Sequence, residues 1–133
     1  MAFWDISPDE YYIKSNKSIG KGAFCSVYLG ENRYTKQQVV MKKVQNKPEY
    51  IKAAHKEIEI LSRFRNQSHH CVYFYGKVTL DKHLYLIFEK LDTNLYTFQK
   101  NYADLLTMKN VIHVAYQLIV ALEFIHSIAI HCD

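Results

Sequence analysis

A chain of 133 residues with a formal charge of +4 has room for one domain, which would bury roughly two-thirds of its unfolded surface. With 49% hydrophobic and 23% charged residues, the balance is globular and leaves disorder only for the first ten residues. The mild basicity suits a polyanionic ligand, and the absence of a dense Lys/Arg block argues against nucleic acid. Cys25, Cys71 and Cys132 are too far apart for a CxxC pair, so no metal site is expected and a reduced intracellular compartment is. The segment 1–10 has neither a basic start nor an apolar core, so it does not read as a signal peptide.

In chain order, Tyr11–Ile19, Ser26–Glu31 and Gln37–Val44 read as strands, with a turn between the last two over Glu31–Lys36. Pro48 opens a helix, where its missing N–H costs nothing, and the helix runs to about Phe64. Ala54, Glu57, Ile58 and Leu61 recur on one face of it. Asn66-Gln67-Ser68 ends this helix. Two more strands follow, Val72–Thr79 and His83–Glu89, joined by Leu80-Asp81-Lys82. A link at Lys90–Thr93 leads to a small helix near Asn94–Lys100 and a long one over Met108–Ser127. Val111, Val114, Ala115, Leu118, Leu122 and Ile125 would form its apolar stripe. His113, Gln117, Glu123 and His126 favour a buried or amphipathic helix over a membrane span. The expected fold is α+β: a five-stranded, mostly antiparallel sheet with one packed helix, then helices, with a hinge at the change of composition.

Four features could carry chemistry. Ile19-Gly20-Lys21-Gly22-Ala23-Phe24-Cys25-Ser26-Val27 places two glycines between strands, where backbone N–H groups can turn toward phosphate oxygens. Alone, such a pair is more often a plain turn. In Val39-Val40-Met41-Lys42, Val40 and Lys42 share one strand face, from which Lys42 could reach phosphates as a point charge. Singly, a strand lysine is usually just solvated. Glu57 lies on the apolar helix face, where a carboxylate needs a partner, and Lys42 is the natural one. An exposed ion pair contributes only about 0–1 kcal/mol, so the pair would position the lysine rather than stabilise the fold. Last comes His131-Cys132-Asp133, an aspartate that by itself proves nothing.

Together, in this order and at these spacings, the features resemble the eukaryotic protein kinases over Tyr11 to Asp133: glycine-rich loop, strand lysine, helix glutamate, hinge and H-x-D. More narrowly, His131-Cys132-Asp133, Lys42-Lys43-Val44-Gln45-Asn46-Lys47 and Phe88-Glu89-Lys90-Leu91-Asp92-Thr93-Asn94-Leu95-Tyr96 resemble the dual-specificity tyrosine-regulated (DYRK) kinases of the CMGC group.

The resemblance implies residues 11–133 as a partial kinase domain after an extension at 1–10, with an N-lobe at 11–89, a hinge at 90–93 and the start of a C-lobe at 94–133. It implies ATP as ligand. The glycine-rich loop, Ile19 through Val27, would cover it, and Ile19, Val27 and Val40 would sandwich the adenine. Phe88 would be the gatekeeper, and the backbone of Glu89 and Leu91 would bond the adenine edge. Asp92 and Asn94 would meet the ribose, Lys42 the phosphates, and Glu57 would hold Lys42. Asp133 would orient a protein hydroxyl. Leu61, Tyr75 and His131 match a hydrophobic column linking the lobes. Three departures from the family pattern stand out: Cys25 at the third loop glycine, Val40 where alanine is usual, and a run from His126 to His131 one residue short. Mg ligands are implied downstream of Asp133, none within it, so the 133-residue chain alone is expected to be inactive. The implied function is protein serine/threonine or dual-specificity phosphorylation, in the cytoplasm or nucleus, with no nucleic-acid or membrane partner. The alternative is a non-catalytic relic that binds nucleotide or protein.

Overall fold

The computed structural model describes residues 4–64, 66–68 and 70–129. They fall into two compact units, one running up to Asn66 and including Val72–Lys90, the other comprising Gln67–Cys71 and the chain from Leu91 onward.

The first unit is an antiparallel sheet with one helix. Its strands are β1 (Tyr11–Ile13), β2 (Gly20–Lys21), β3 (Cys25–Asn32), β4 (Gln38–Val44), β5 (Phe74–Leu80) and β6 (His83–Glu89), with α1 at Pro48–Phe64 between β4 and β5. The order is β1-β3-β4-β6-β5, with β2 also on β3. Of the expected first strand, Tyr11–Ile19, only Tyr11–Ile13 forms a strand; the second arm on that edge of β3, β2, begins at Gly20, past the expected end. Lys14 N–H donates to the Leu29 carbonyl (2.9 Å) and Ile19 N–H to the Val27 carbonyl (2.8 Å). Ser15–Ser18 loop out between them, opposite the single residue Tyr28. Ser and Asn hydroxyls and amides compete for backbone groups in this way, as the Ser15 hydroxyl does by accepting from Lys17 N–H (3.2 Å). The fourth expected strand begins at Phe74, two residues later than Val72, and the Asn66 side chain bonds both backbone groups of Phe74 (2.9 Å each).

The turns follow from side chains at their ends. Buried Asn32 closes the β3–β4 turn by accepting from the N–H groups of Tyr34 and Thr35 (2.9 Å each). Asp81 and Lys82 both take positive φ, 49° and 66°, the conformation of a two-residue hairpin that matches strand twist. Tyr12 donates to Glu31, which also pairs with Lys14 (3.0 Å), tying the edge strand to β3. The Tyr12 hydroxyl, and after it Lys14, hold the Glu31 carboxyl below its ordinary range.

Period-two alternation sorts the sheet into two faces. One collects Tyr11, Val39, Met41, Val78, Tyr85 and Ile87, with Tyr28 and Tyr75 beside them. Burial raises the hydroxyl pKa of Tyr11, Tyr75 and Tyr85. The other face collects Val44, Phe74, Leu84 and Leu86, and α1 packs there through Ala54 and Ile58. Two residues before Tyr11 pack into this unit: Trp4 on the helix-bearing face and Ile6 on the opposite one.

The second unit carries α2 (Leu95–Asn101), a 3-10 turn at Ala103–Leu105 and α3 (Met108–Ala129). By length and composition α3 could cross a membrane. The expected stripe is covered only in part: Val114 and Ile125 are half-buried, while Val111, Ala115, Leu118 and Leu122 are exposed; Ala121 and Gln117, outside the stripe, are buried and half-buried. The helix is apolar almost all round, so periodicity alone does not select a face.

Candidate functional site

Register brings the sequence-selected residues of the first unit onto one sheet face. Val27 lies opposite Lys42 and Lys42 opposite Leu86; one rung away, Leu29 lies opposite Val40 and Val40 opposite Phe88. Because side chains alternate along β4, Val40 and Lys42 emerge on the same side as α1. Val27, Val40, Lys42 and Phe88 are all half-buried.

Lys42 meets Glu57 of α1. Its Nζ donates to both carboxylate oxygens, at 2.9 and 3.1 Å. Ala54 and Ile58, buried on either side of Glu57 along the helix, set the rotation of α1 that points the carboxylate at β4. The Lys42 and Glu57 side chains remain 27% and 40% exposed, so the pair adds on the order of 0–1 kcal/mol to stability. Its consequence is geometric: an otherwise flexible lysine head is held at one point on an open face.

The glycine-rich loop closes as a hairpin in which Gly22 N–H donates to the Cys25 carbonyl (2.9 Å). Gly20 pairs with Val27 and Lys21 with Ser26. Residues Lys21–Phe24 are exposed. A Cβ built at Gly20 would come no nearer than 3.7 Å to another atom, and one at Gly22 no nearer than 3.6 Å, to Cys25 Sγ. Neither position has positive φ. Nothing inside the fold demands glycine there. Phe24, at the loop tip, stacks on Tyr50 of α1 with ring centres 4.9 Å apart. Between loop and helix lies a cavity of about 350 Å³ bordered by Phe24, Cys25, Lys42, Val44, Ala54 and Glu57. The Phe24–Tyr50 stack is a site feature that the sequence reading missed; an aromatic at the loop tip was its only signal.

The remaining sequence-selected residues are distributed differently. Ile19 is 59% exposed at the start of the loop. Glu89 ends β6, where its N–H donates to the Tyr73 carbonyl (3.0 Å) and its carboxylate accepts from Tyr73 N–H (2.8 Å). Leu91, Asp92 and Asn94 belong to the second unit. There the Asn94 side chain accepts from Thr97 N–H (2.7 Å) as the N-cap of α2, so this residue has a structural use of its own. Leu61 and Tyr75 are half-buried on opposite sheet faces. Asp133 and His131 lie outside the described residues.

For a metal ion, the acids bordering this cavity are Glu49 and Glu57, and both oxygens of Glu57 are engaged by Lys42. Among the described residues no cluster of three His, Cys, Asp or Glu side chains could hold a metal. The described residues do not fit a Mg site.

Comparison with known proteins agrees with this arrangement. Residues 13–133 match the family model of the protein kinase domain. The chain is 33% identical over 134 aligned residues to serine/threonine-protein kinase prpf4B of Dictyostelium discoideum, covering 94% of this chain and 16% of that protein. It is 28% identical to protein kinase dsk1 of Schizosaccharomyces pombe, over 83% of this chain and 22% of that protein. It is 32% identical to homeodomain-interacting protein kinase 1 of Mus musculus, over 86% of this chain and 10% of that protein. The chain thus spans under a quarter of the length of these curated relatives, which are kinases of the CMGC type. With a strand lysine clamped by a helix glutamate beneath a two-glycine hairpin, and a family match over nearly its whole length, the chain belongs to the protein kinase domain family.

Proposed function

We propose that this chain supplies the nucleotide-binding face of an ATP:protein phosphotransferase acting on serine or threonine hydroxyls. The observation that carries the reading is the Lys42–Glu57 pair at 2.9 Å, standing on the same sheet face as Val27, Val40 and Phe88. An ammonium held at a fixed point beside an apolar strip suits a ligand with an aromatic base at one end and phosphates at the other. Val27 and Val40 pack on the base, with Ile19 at the loop start. Phe88 limits the depth of the apolar strip. The backbone of Glu89 bonds the base edge; the family resemblance would add the backbone of Leu91 to that edge, and Asp92 and Asn94 to the ribose. Gly20 and Gly22 let the hairpin backbone come close to the phosphates, and Lys42 takes their charge.

In this reading residues 11–89 form the N-lobe, 90–93 the hinge and 94–133 the start of a C-lobe. Asp133 orients the accepting hydroxyl. The family's chemistry uses Mg to neutralise phosphate charge; the described residues would not hold it, and ligands downstream of Asp133 would be needed. A polypeptide of residues 1–133 alone is therefore expected to transfer no phosphate. The setting is intracellular, cytoplasm or nucleus, with ATP and a protein substrate as partners. The test is calorimetric titration of the full-length protein with MgATP. The reading requires binding that Lys42→Met weakens by at least about tenfold, the loss of one charge-assisted contact; equal affinity for both proteins would overturn it.

A further inference from the structure

The family match begins at residue 13, yet the first unit is completed by residues before it. Lys77 N–H donates to the Trp4 carbonyl and Ile6 N–H to the Lys77 carbonyl, both at 2.9 Å, so 4–6 runs parallel to β5. Asp5 adds an ion pair to Lys77 at 3.4 Å. Since β5 is the edge of the sheet, this segment occupies backbone groups that an edge would leave open. Gly76 admits it. Its φ of +143° is a glycine conformation, and a Cβ there would sit 2.4 Å from the Trp4 carbonyl oxygen.

The consequence reaches the ion pair through the core. The Trp4 ring lies 5.5 Å from that of Phe74, and Phe74 lies 5.3 Å from Phe88. Phe74 is 1% exposed and shares one cluster with Ala54 and Ile58 of α1 and with Leu86. Leu86 is the register partner of Lys42. The two ends of the pair are held unequally. Lys42 sits on a central strand bonded on both sides, whereas α1 buries only Ala54 and Ile58 in 17 residues. A change in the packing around Phe74 is therefore felt first at α1.

We propose that Trp4 is a positioning residue for the nucleotide site: the segment Trp4–Ile6 holds Trp4 against Phe74, and Phe74 seats α1 so that Glu57 stays within reach of Lys42. This rests on the nucleotide-binding reading above. Trp4 acts through Phe74 on the helix that carries Glu57.

The experiment uses the full-length protein as wild type, Trp4→Ala, Trp4→Phe and Trp4→Ala/Lys42→Met. Amide exchange of the α1 peptide spanning 55–61 is measured without nucleotide, alongside MgATP affinity and melting temperature. Trp4→Ala should speed exchange in that peptide while exchange in β4 and β6 stays put, and should weaken MgATP binding roughly tenfold, the scale of a modest coupling between sites. Trp4→Phe, which keeps a ring on Phe74, should restore both. In the Lys42→Met background, Trp4→Ala should change affinity no further, because the pair it serves is already gone. Unchanged α1 exchange, or exchange rising equally across the whole sheet, overturns the proposal. So does an affinity loss that persists undiminished without Lys42. If Trp4→Ala does not fold, Trp4→Leu serves, with the same pattern required at smaller size. Wild-type protein that does not bind MgATP would sink the nucleotide reading; the α1 exchange result would still judge the positioning role.

Discussion

Gly30 and Gly76 sit inside the sheet and at its packed edge, whereas Gly20 and Gly22 sit on the rim of the hairpin loop. A Cβ at Gly30 would lie 2.3 Å from Met41 Sδ and 3.1 Å from the Tyr12 carbonyl oxygen; at Gly76 it would strike the Trp4 backbone. At Gly20 and Gly22 it would meet only ordinary contacts. The first pair is glycine because the fold leaves no space, and the second although the fold leaves space. Lysines divide the same way: Lys77 pairs with Asp5 where the N-terminal segment meets β5, while Lys42 is clamped on an open face for no large gain in stability. Within this one unit, residues required by folding and residues the fold does not require can be told apart by asking what their replacement would disturb.

Substitutions at the sheet's centre should cost most. Met41 is fully buried, so Met41→Ala should destabilise by about 2–5 kcal/mol through lost transfer energy and a cavity. Gly30→Ala should be destabilising alone but milder in the Met41→Ala background, where the new methyl enters vacated space. Denaturant unfolding of the four proteins of this cycle measures the coupling; strict additivity would mean that Met41 does not set the glycine requirement. Gly76→Ala should come next, at roughly 1–3 kcal/mol, from backbone strain together with displacement of the Trp4 carbonyl. A thermal melt of this variant near that of the wild type would show that the segment before Tyr11 contributes little to the unit.

The rim should respond differently. Lys42→Met should change folding stability by no more than about 1 kcal/mol, because both partners of the ion pair are partly exposed. Nucleotide affinity should fall nonetheless. Chemical denaturation and calorimetry on the same preparations separate the two. A large stability loss without a binding defect would move Lys42 to the structural side of the comparison.

Much of this division was readable in the chain. Period two in Val39–Lys42 put Val40 and Lys42 on one face, and the helical period put Glu57 between Ala54 and Ile58, so the pairing of β4 with α1 followed from two local patterns. The break in the first strand was signalled by Ser15, Asn16 and Ser18, which do not alternate with apolar residues. Asn94 preceding a helix is the position of an N-cap, and it serves as one. What could not be read was long-range or degenerate. A three-residue pairing of Trp4–Ile6 with a strand seventy residues away has no local period. The nearly uniform apolar surface of α3 does not mark its covered side. The steric case for Gly30 exists only once β4 places the Met41 side chain against it.

The smallest effect is the most discriminating. Gly22→Ala removes conformational freedom from the unfolded chain and introduces a methyl that meets Cys25 Sγ at an ordinary 3.6 Å, in a backbone conformation without positive φ. On those grounds stability should be unchanged or raised by about 0.4–1 kcal/mol. A methyl on the inner side of the hairpin nevertheless stands where a phosphate would approach backbone N–H groups, so affinity for MgATP should drop. In melts of the full-length protein, the variant without nucleotide should match or exceed the wild type. With saturating nucleotide the order should reverse, because stabilisation by a ligand grows with concentration over Kd. A variant that melts lower in both conditions would place Gly22 with Gly30 and Gly76 as a residue the fold requires. One that melts higher in both, with nucleotide affinity intact, would mean that the loop backbone makes no close approach to phosphate at this position.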